Sequence, residues 1–99
     1  MKNTISFKPD QLLRLEYGKR MGLMYQIYMD PEFTAYRMDA FIDILQNGGD
    51  LEALALASDK RRSDTFCHNM CFAMSHGIPP MEYARMYDEQ MEADWEPNR

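Results

Sequence analysis

Residues 30–48 read DPEFTAYRMDAFIDILQNG, and this stretch has the features of a single amphipathic helix. An Asp-Pro pair turns the chain, and the hydroxyl of Thr34 can accept from the free amides of a first helical turn. A glycine pair follows, where the left-handed residue that ends many helices is easily formed. The stretch therefore predicts a helix from about Ala35 to Asn47. Its apolar residues recur at the helical spacing i, i+3, i+4 and i+7, at Met38, Phe41, Ile42 and Leu45.

The same template fits twice more along the chain without a gap. The matching stretches are 11–22, 37–48 and 66–77, and each ends on glycine. Ser63 precedes the third stretch as Thr34 precedes the second. The spacing is 26 residues and then 29, so three extra residues fall in the second linker. The equivalent apolar or small positions are Leu12, Met38 and Cys67, then Leu15, Phe41 and Met70, then Gly18, Ile44 and Ala73.

Shorter segments separate these helices. Asp50 is a suitable N-cap for a short helix over 50–57, residues 23–29 suggest another, and Pro80 begins a last helix that ends near 94. A helix with a short helical return cannot bury its apolar side alone and gains by stacking on its neighbour. We therefore expect one all-α domain, a small bundle of irregular helix-turn-helix repeats with a C-terminal helix. Its units would span about 7–33, 34–62 and 63–94, with an acidic tail at 95–99.

Composition agrees with a helical protein. The 99 residues suit one domain, and they include ten Met and five Ile, but only three Thr and no Val. Unbranched side chains favour helices, whereas strands favour branched ones. No stretch has the length and apolarity of a membrane span, and residues 1–10 lack the apolar core of a signal peptide. Two cysteines four residues apart do not make a secreted disulfide framework. We expect a cytoplasmic protein that does not contact membranes.

Charge is unevenly distributed, and the formal net charge is −5. Residues 82–96 hold six acids against a single Arg85. Basic residues form only two small groups, at 19–20 and 60–62, too few to neutralise a long stretch of phosphate backbone. We therefore expect no direct binding to nucleic acid.

Residues 11–33, QLLRLEYGKRMGLMYQIYMDPEF, resemble a short helical repeat of proteins from Gram-positive gut bacteria and their mobile elements. That repeat runs roughly Q-M-x-x-I-R-x-G-L-x-x-G-L-D, then a short helix and Y-A-D-P-x-F. The third copy departs from it, because Phe66 and Cys67 replace Gln-Met and Arg62 replaces the aromatic residue. The resemblance covers about residues 7–80 and implies helical repeats without catalytic residues. The matching positions are Gln11, Gly18, Gly22, Leu23, Tyr28, Asp30, Pro31 and Phe33 in the first copy and Met38, Gly48 and Asp50 in the second.

Cys67, His68, Cys71 and His76 are the one group that suggests a metal. Two cysteines at i and i+4 share a helix face and could both bind zinc. However, the repeat register gives both cysteines core positions, which a buried free thiol fills well. His68 lies about 100° around the helix from Cys67, and His76 is placed to cap the helix C-terminus. We therefore expect no metal and no cofactor.

Other residues do not indicate catalysis. Asp39 and Asp43, like Glu89 and Glu92, are spaced as acid/base pairs, but acids opposite an apolar stripe usually form the solvated side of a helix. The sequence contains no nucleophile elbow and no glycine-rich phosphate loop. We therefore expect that the protein is not an enzyme.

Methionine and tyrosine are abundant, and such residues either pack a core or form an adaptable binding surface. The sequence favours a non-catalytic module that binds another protein or forms a homodimer. An alternative is a small acidic inhibitor from a phage or mobile element, anti-CRISPR-like or mimicking DNA, that binds a host nucleic-acid enzyme. The candidate partner-binding residues lie in the last helix and acidic tail: Tyr83, Tyr87, Asp88, Glu89, Met91, Glu92 and Trp95.

Overall fold

The computed structural model describes residues 6–94, which form five α-helices and one short 3-10 helix and contain no strand. The predicted all-α fold is therefore confirmed. The segment at 23–29, for which the sequence suggested a short helix, forms a four-residue 3-10 helix, Tyr25–Tyr28. The α-helices are α1 Pro9–Arg20, α2 Ala35–Gln46, α3 Leu51–Ser58, α4 Asp64–Ser75 and α5 Pro80–Asp94. None of the helices in this part of the chain is both long and apolar enough to span a membrane.

The helix ends are built as the sequence predicts. Thr34, Asp50 and Ser63 are N-caps, and each accepts a backbone N–H three residues ahead at 3.0 Å. The three long repeat helices also end alike, because a backbone N–H just past each glycine donates to the carbonyl five residues earlier. These bonds are Leu23 to Gly18, Gly49 to Ile44 and Ile78 to Ala73.

The helices are arranged in two layers. In the first, α2 lies between α1 and α4 and contacts both. The 3-10 helix, α3 and α5 form the second, in which α3 contacts α2 and α5. The molecule is elongated, with extents of 52 × 31 × 18 Å. The core lies between the layers, and its largest fully buried side chains are Tyr28, Phe41, Phe66, Met38, Met70 and Cys67.

Gln11 joins the first unit to the start of the second. Its side chain is 4% exposed, and Nε2 donates to the carbonyls of Pro31 and Phe33 at 3.0 and 2.6 Å. Its Oε1 accepts the backbone N–H of Lys8 at 2.6 Å. The two carbonyls lie 20 and 22 residues further along the chain, so Gln11 holds the segment that leads into α2.

Arg37 makes the equivalent connection one unit later. It is 5% exposed, and Nη1 donates to the carbonyls of Ala57 and Asp59, again 20 and 22 residues ahead, at 2.8 and 3.1 Å. Its Nη2 donates to the carbonyl of Arg62, and Nε donates to Asp64 at 2.8 Å. The longer second linker is thereby fixed against α2.

The side of α1 that carries Leu12 differs from the matching sides of α2 and α4. Leu12 is 51% exposed, although the equivalent Met38 and Cys67 are fully buried. In the described part of the chain no helix precedes α1 to cover it. Glu16 and Lys19 occupy the places where α2 carries Ile42 and Leu45, so most of this side is polar.

Candidate functional site

The first layer presents a surface that we call the outer face, formed by the sides of α1, α2 and α4 that point away from the core. Asp39 and Asp43, one turn apart on α2, lie on this surface between two grooves. The groove between α1 and α2 has a volume of about 360 Å³. It is lined by Leu13, Arg14, Tyr17, Asp39 and Ile42.

The α1–α2 groove is crossed by interactions within the protein. Arg14 donates from Nε and Nη2 to the two carboxylate oxygens of Asp39, at 2.9 and 3.2 Å. The hydroxyl of Tyr17 accepts from Gln46 Nε2 at 2.8 Å. The charges of this groove therefore compensate each other, and what it offers a partner is mainly the apolar side chain of Leu13, 66% exposed.

The groove between α2 and α4 is smaller, with a volume of about 190 Å³. Asp43 stands on its rim and accepts from the side-chain amide of Asn47 at 3.0 Å. Within residues 6–94 no Lys or Arg forms a salt bridge with Asp43. The residues that line the α2–α4 groove are Asp43, Ile44, Asn47, Cys71, Met74 and Ser75.

Both cysteines are free and buried. Burial, assisted by nearby Asp43, raises the pKa of the Cys71 thiol from 9.0 to about 12, and Cys71 Sγ donates to the carbonyl of Ala40 at 3.7 Å. The pKa of Cys67 is also raised, mainly by burial. Both thiols therefore stay protonated at neutral pH, whereas nucleophiles and metal ligands must be thiolates.

The two histidines have structural contacts. The ring of His68 stacks on Tyr36 with 3.8 Å between ring centroids, and its Nε2 donates to the carbonyl of the same tyrosine. His76 Nδ1 donates to the carbonyl of Phe72 at 3.0 Å, the predicted C-terminal cap. Among the residues that the structure describes, no three His, Cys, Asp or Glu side chains come together as metal ligands.

The two predicted tyrosines of α5 lie against the core. The rings of Tyr83 and Tyr87 have their centroids 5.3 and 5.0 Å from that of Phe66. Both side chains are half-buried, and burial raises the pKa of Tyr83. These tyrosines therefore attach α5 to α4, and each side chain also remains partly exposed to solvent.

Asp88 and Glu89, two of the three predicted acids of α5, form ion pairs. Asp88 accepts from Arg62 at 2.6 and 3.1 Å, and Arg85 lies between Glu82 and Glu89 at 3.6 and 3.1 Å. Met91 is 47% exposed. The side chain of Glu92 and the whole of Trp95 lie outside the described residues.

The sequence prediction did not include the residues of the outer face. A signal for them exists in the repeat register, in which Tyr17, Asp43 and Phe72 occupy the same position of their helices. In an amphipathic helix this position points to solvent, so a tyrosine and a phenylalanine there are out of place. Phe72 is 68% exposed.

Comparisons of the chain with models of protein families, with curated proteins and with solved structures find no match.

Proposed function

We propose that this chain is a non-catalytic module that binds another protein, or a second copy of itself, through the outer face. The observation that carries the proposal is the presence of exposed apolar side chains beside grooves on one surface. Leu13 flanks the α1–α2 groove, and Phe72 lies next to Cys71 of the α2–α4 groove. Other exposed apolar side chains occur elsewhere, such as Leu51 at 82% and Met24 at 63%, but Leu13 and Phe72 are distinguished by the grooves beside them. Partner side chains that contribute most to binding are typically anchored in such pockets.

The chemistry of the titratable groups also supports a module without catalysis. Both thiols have a raised pKa, which makes them poor nucleophiles. Asp39 pairs with Arg14 through both carboxylate oxygens, so this carboxylate is engaged in a contact within the protein. The proposal includes a cytoplasmic location and, following the sequence resemblance, an origin in a bacterium or mobile element.

Site-specific photo-crosslinking in cells tests this function. A photoreactive phenylalanine analogue replaces Leu13 or Phe72 on the outer face, Met91 on α5, or the exposed Glu52 on α3 as control. We expect a protein adduct from positions 13 and 72 and none from 52. An adduct with twice the mass of the chain identifies a homodimer. Adducts from 91 alone would move the interface to α5, and equal yields at all four positions would contradict the proposal.

A second candidate is an acidic inhibitor that binds a basic nucleic-acid enzyme in place of DNA. The six acids of residues 82–96 favour it. Asp88 is unsuitable for its test, because reversing this charge also breaks the contact of α5 with Arg62 of the second linker, whereas the pair of Glu89 and Arg85 lies within α5. Reversal of Glu89 and Glu92 to Lys should abolish partner capture if charge mimicry operates, while Phe72→Ala leaves it intact. The opposite pattern supports the outer face.

A further inference from the structure

We propose that the groove between α2 and α4 binds a lysine or arginine side chain from a segment of the partner protein. This inference rests on the proposed interaction function and names the chemistry of the group that is recognised. It is carried by the size of the groove, its apolar walls and the carboxylate on its rim.

The size of the groove favours a side chain over a small-molecule ligand. Its volume of about 190 Å³ is below the range of roughly 300–1,000 Å³ typical of small-molecule pockets. Ile44, Cys71 and Met74 supply the apolar part of the lining. Lysine and arginine bury their aliphatic stems along such surfaces while the charged end stays near water. One long side chain therefore suits both the volume and the walls.

Charge selects a basic side chain. Asp43 lies at the rim, and its partners in the protein are neutral groups, the side-chain amide of Asn47 and the thiol of Cys71. The neighbouring Asp39, by contrast, already pairs with Arg14. A guanidinium or ammonium group would form a charge-assisted hydrogen bond with Asp43, whereas a carboxylate would be repelled. The net charge of −5 also attracts basic segments over a longer range.

Phe72 adds an apolar contact beside the groove. It follows Cys71 in α4, and its own carbonyl accepts the hydroxyl of Ser75, another lining residue, at 2.6 Å. Its ring packs against that of His76, with 4.5 Å between centroids, and the residue remains 68% exposed. The recognised segment therefore places an apolar or aromatic residue next to its Lys or Arg.

The test is an NMR titration of the isotope-labelled full chain. The probe is the tripeptide Ac-Phe-Arg-Ala-NH2, and the control peptide carries citrulline, which keeps the shape of arginine but has no charge. We expect amide shifts around Asp43, Asn47 and Ser75 with the arginine peptide and much smaller ones with citrulline. Asp43→Asn should weaken binding about tenfold, the effect of losing a charge-assisted hydrogen bond. Glu52→Gln removes the same charge at an exposed position of α3, away from the outer face, and as the matched control should leave the affinity unchanged.

Each result decides the proposal. Equal shifts with arginine and citrulline, or equal affinity of the wild type and Asp43→Asn, would overturn it, and so would shifts confined to the α1–α2 groove. The spectrum of each variant verifies its fold. Crosslinking at 13 and 72 without arginine-dependent shifts would refute this groove as a basic-residue site but retain the interaction module. Arginine-dependent shifts without any crosslinked partner would retain the groove as a basic-residue site but refute the interaction module.

Discussion

Arg37 is a charged residue that has become part of the interior. Its guanidinium donates to Asp64 and to the carbonyls of Ala57, Asp59 and Arg62, and among the described residues no buried side-chain polar atom lacks a partner. Burial of a charge is tolerable when it is both paired and hydrogen-bonded. The planar fork of donors in arginine makes several simultaneous bonds feasible.

We expect Arg37→Met to lower the free energy of unfolding by about 3 kcal/mol, because it removes the side-chain donor to the carbonyls of Ala57 and Arg62 and the charged partner of Asp64. Arg37→Lys should give an intermediate loss, since it keeps the charge but not the fork. Urea denaturation followed by circular dichroism measures both. Arg61→Ala is the control, because this side chain is 91% exposed and pairs with Asp59, two residues away in the same linker. Equal stability of Arg37→Met and the wild type would contradict the role of this residue.

Position 18 has no room for a side chain, because Tyr25 and Tyr28 of the 3-10 helix pack directly against α1 there. A Cβ at this position would lie 2.1 Å from the hydroxyl of Tyr28 and 2.8 Å from Tyr25 Cβ. We expect Gly18→Ala to destabilise the fold by about 2 kcal/mol despite the better helix propensity of alanine. Tyr28→Phe removes the nearest atom, so the double variant should lose less than the sum of the two single ones. Additive losses in thermal unfolding would exclude this contact as the cause.

The Cys71 thiol should react slowly in the folded protein. Its pKa of about 12 keeps it protonated at pH 8, and it is buried. In a Cys67→Ala background we expect slow labelling by a thiol reagent, fast labelling in urea, and faster native labelling above pH 9 in Asp43→Asn. Because the folded pKa lies above the ordinary 9.0, this group stabilises the fold fully below pH 9 and loses that contribution as pH rises toward 12. Rapid native labelling at pH 8 would contradict the burial.

The roles of Gln11 and Arg37 could not be read from the sequence. A glutamine and an arginine in a first helical turn normally face water, and the carbonyls they bind lie 20 and 22 residues away. The repeat register contains a partial signal, since the third residue at this position is Phe66, which suits a core. Burial of the polar pair depends on the linkers, whose path the pattern does not specify.

At the level of helices, α5 is held by aromatic contacts. Tyr83 and Tyr87 both pack on Phe66. The guanidinium of Arg62 also lies over the ring of Phe66, 4.4 Å from its centroid. Aromatic pairs of this geometry contribute beyond the area they bury. A loss of binding in a Tyr87 variant would therefore also report a displaced helix.

We expect Tyr87→Ala to destabilise the protein by about 2 kcal/mol through the lost contact with Phe66. Met86→Ala, one residue away and exposed, should change stability by less than about 0.5 kcal/mol. Denaturant titration compares the two variants. Equal and small effects would mean that Tyr87 is free for a partner, as the sequence alone suggested.

The helices were predictable and their side-chain partners were not. Capping residues act within one turn, so Thr34, Asp50 and Ser63 could be identified from local sequence. Tyr83 and Tyr87 belong to a stripe whose burial depends on where α4 lies, which no local rule contains. The grooves of the outer face likewise depend on how closely neighbouring helices approach.

At the level of the whole molecule, α2 is the centre of the fold. It contacts α1, α3, α4 and the 3-10 helix, whereas α1 contacts only α2 and the 3-10 helix extensively. Local stability follows the density of such contacts. We expect the slowest amide hydrogen exchange in α2, at Phe41 and Ile44, and faster exchange throughout α1. Equal protection of the two helices would indicate that the molecule opens only as one unit.

The repeated bonds of Gln11 and Arg37 have a consequence for how such a chain can change over generations. Each side chain fastens the segment that leads into the following unit, at the same 20- and 22-residue separation. The junction is thus encoded within one unit and its linker and does not depend on total chain length. An in-frame duplication would bring its own fastening with it, so the surface could be enlarged by one pair of helices at a time.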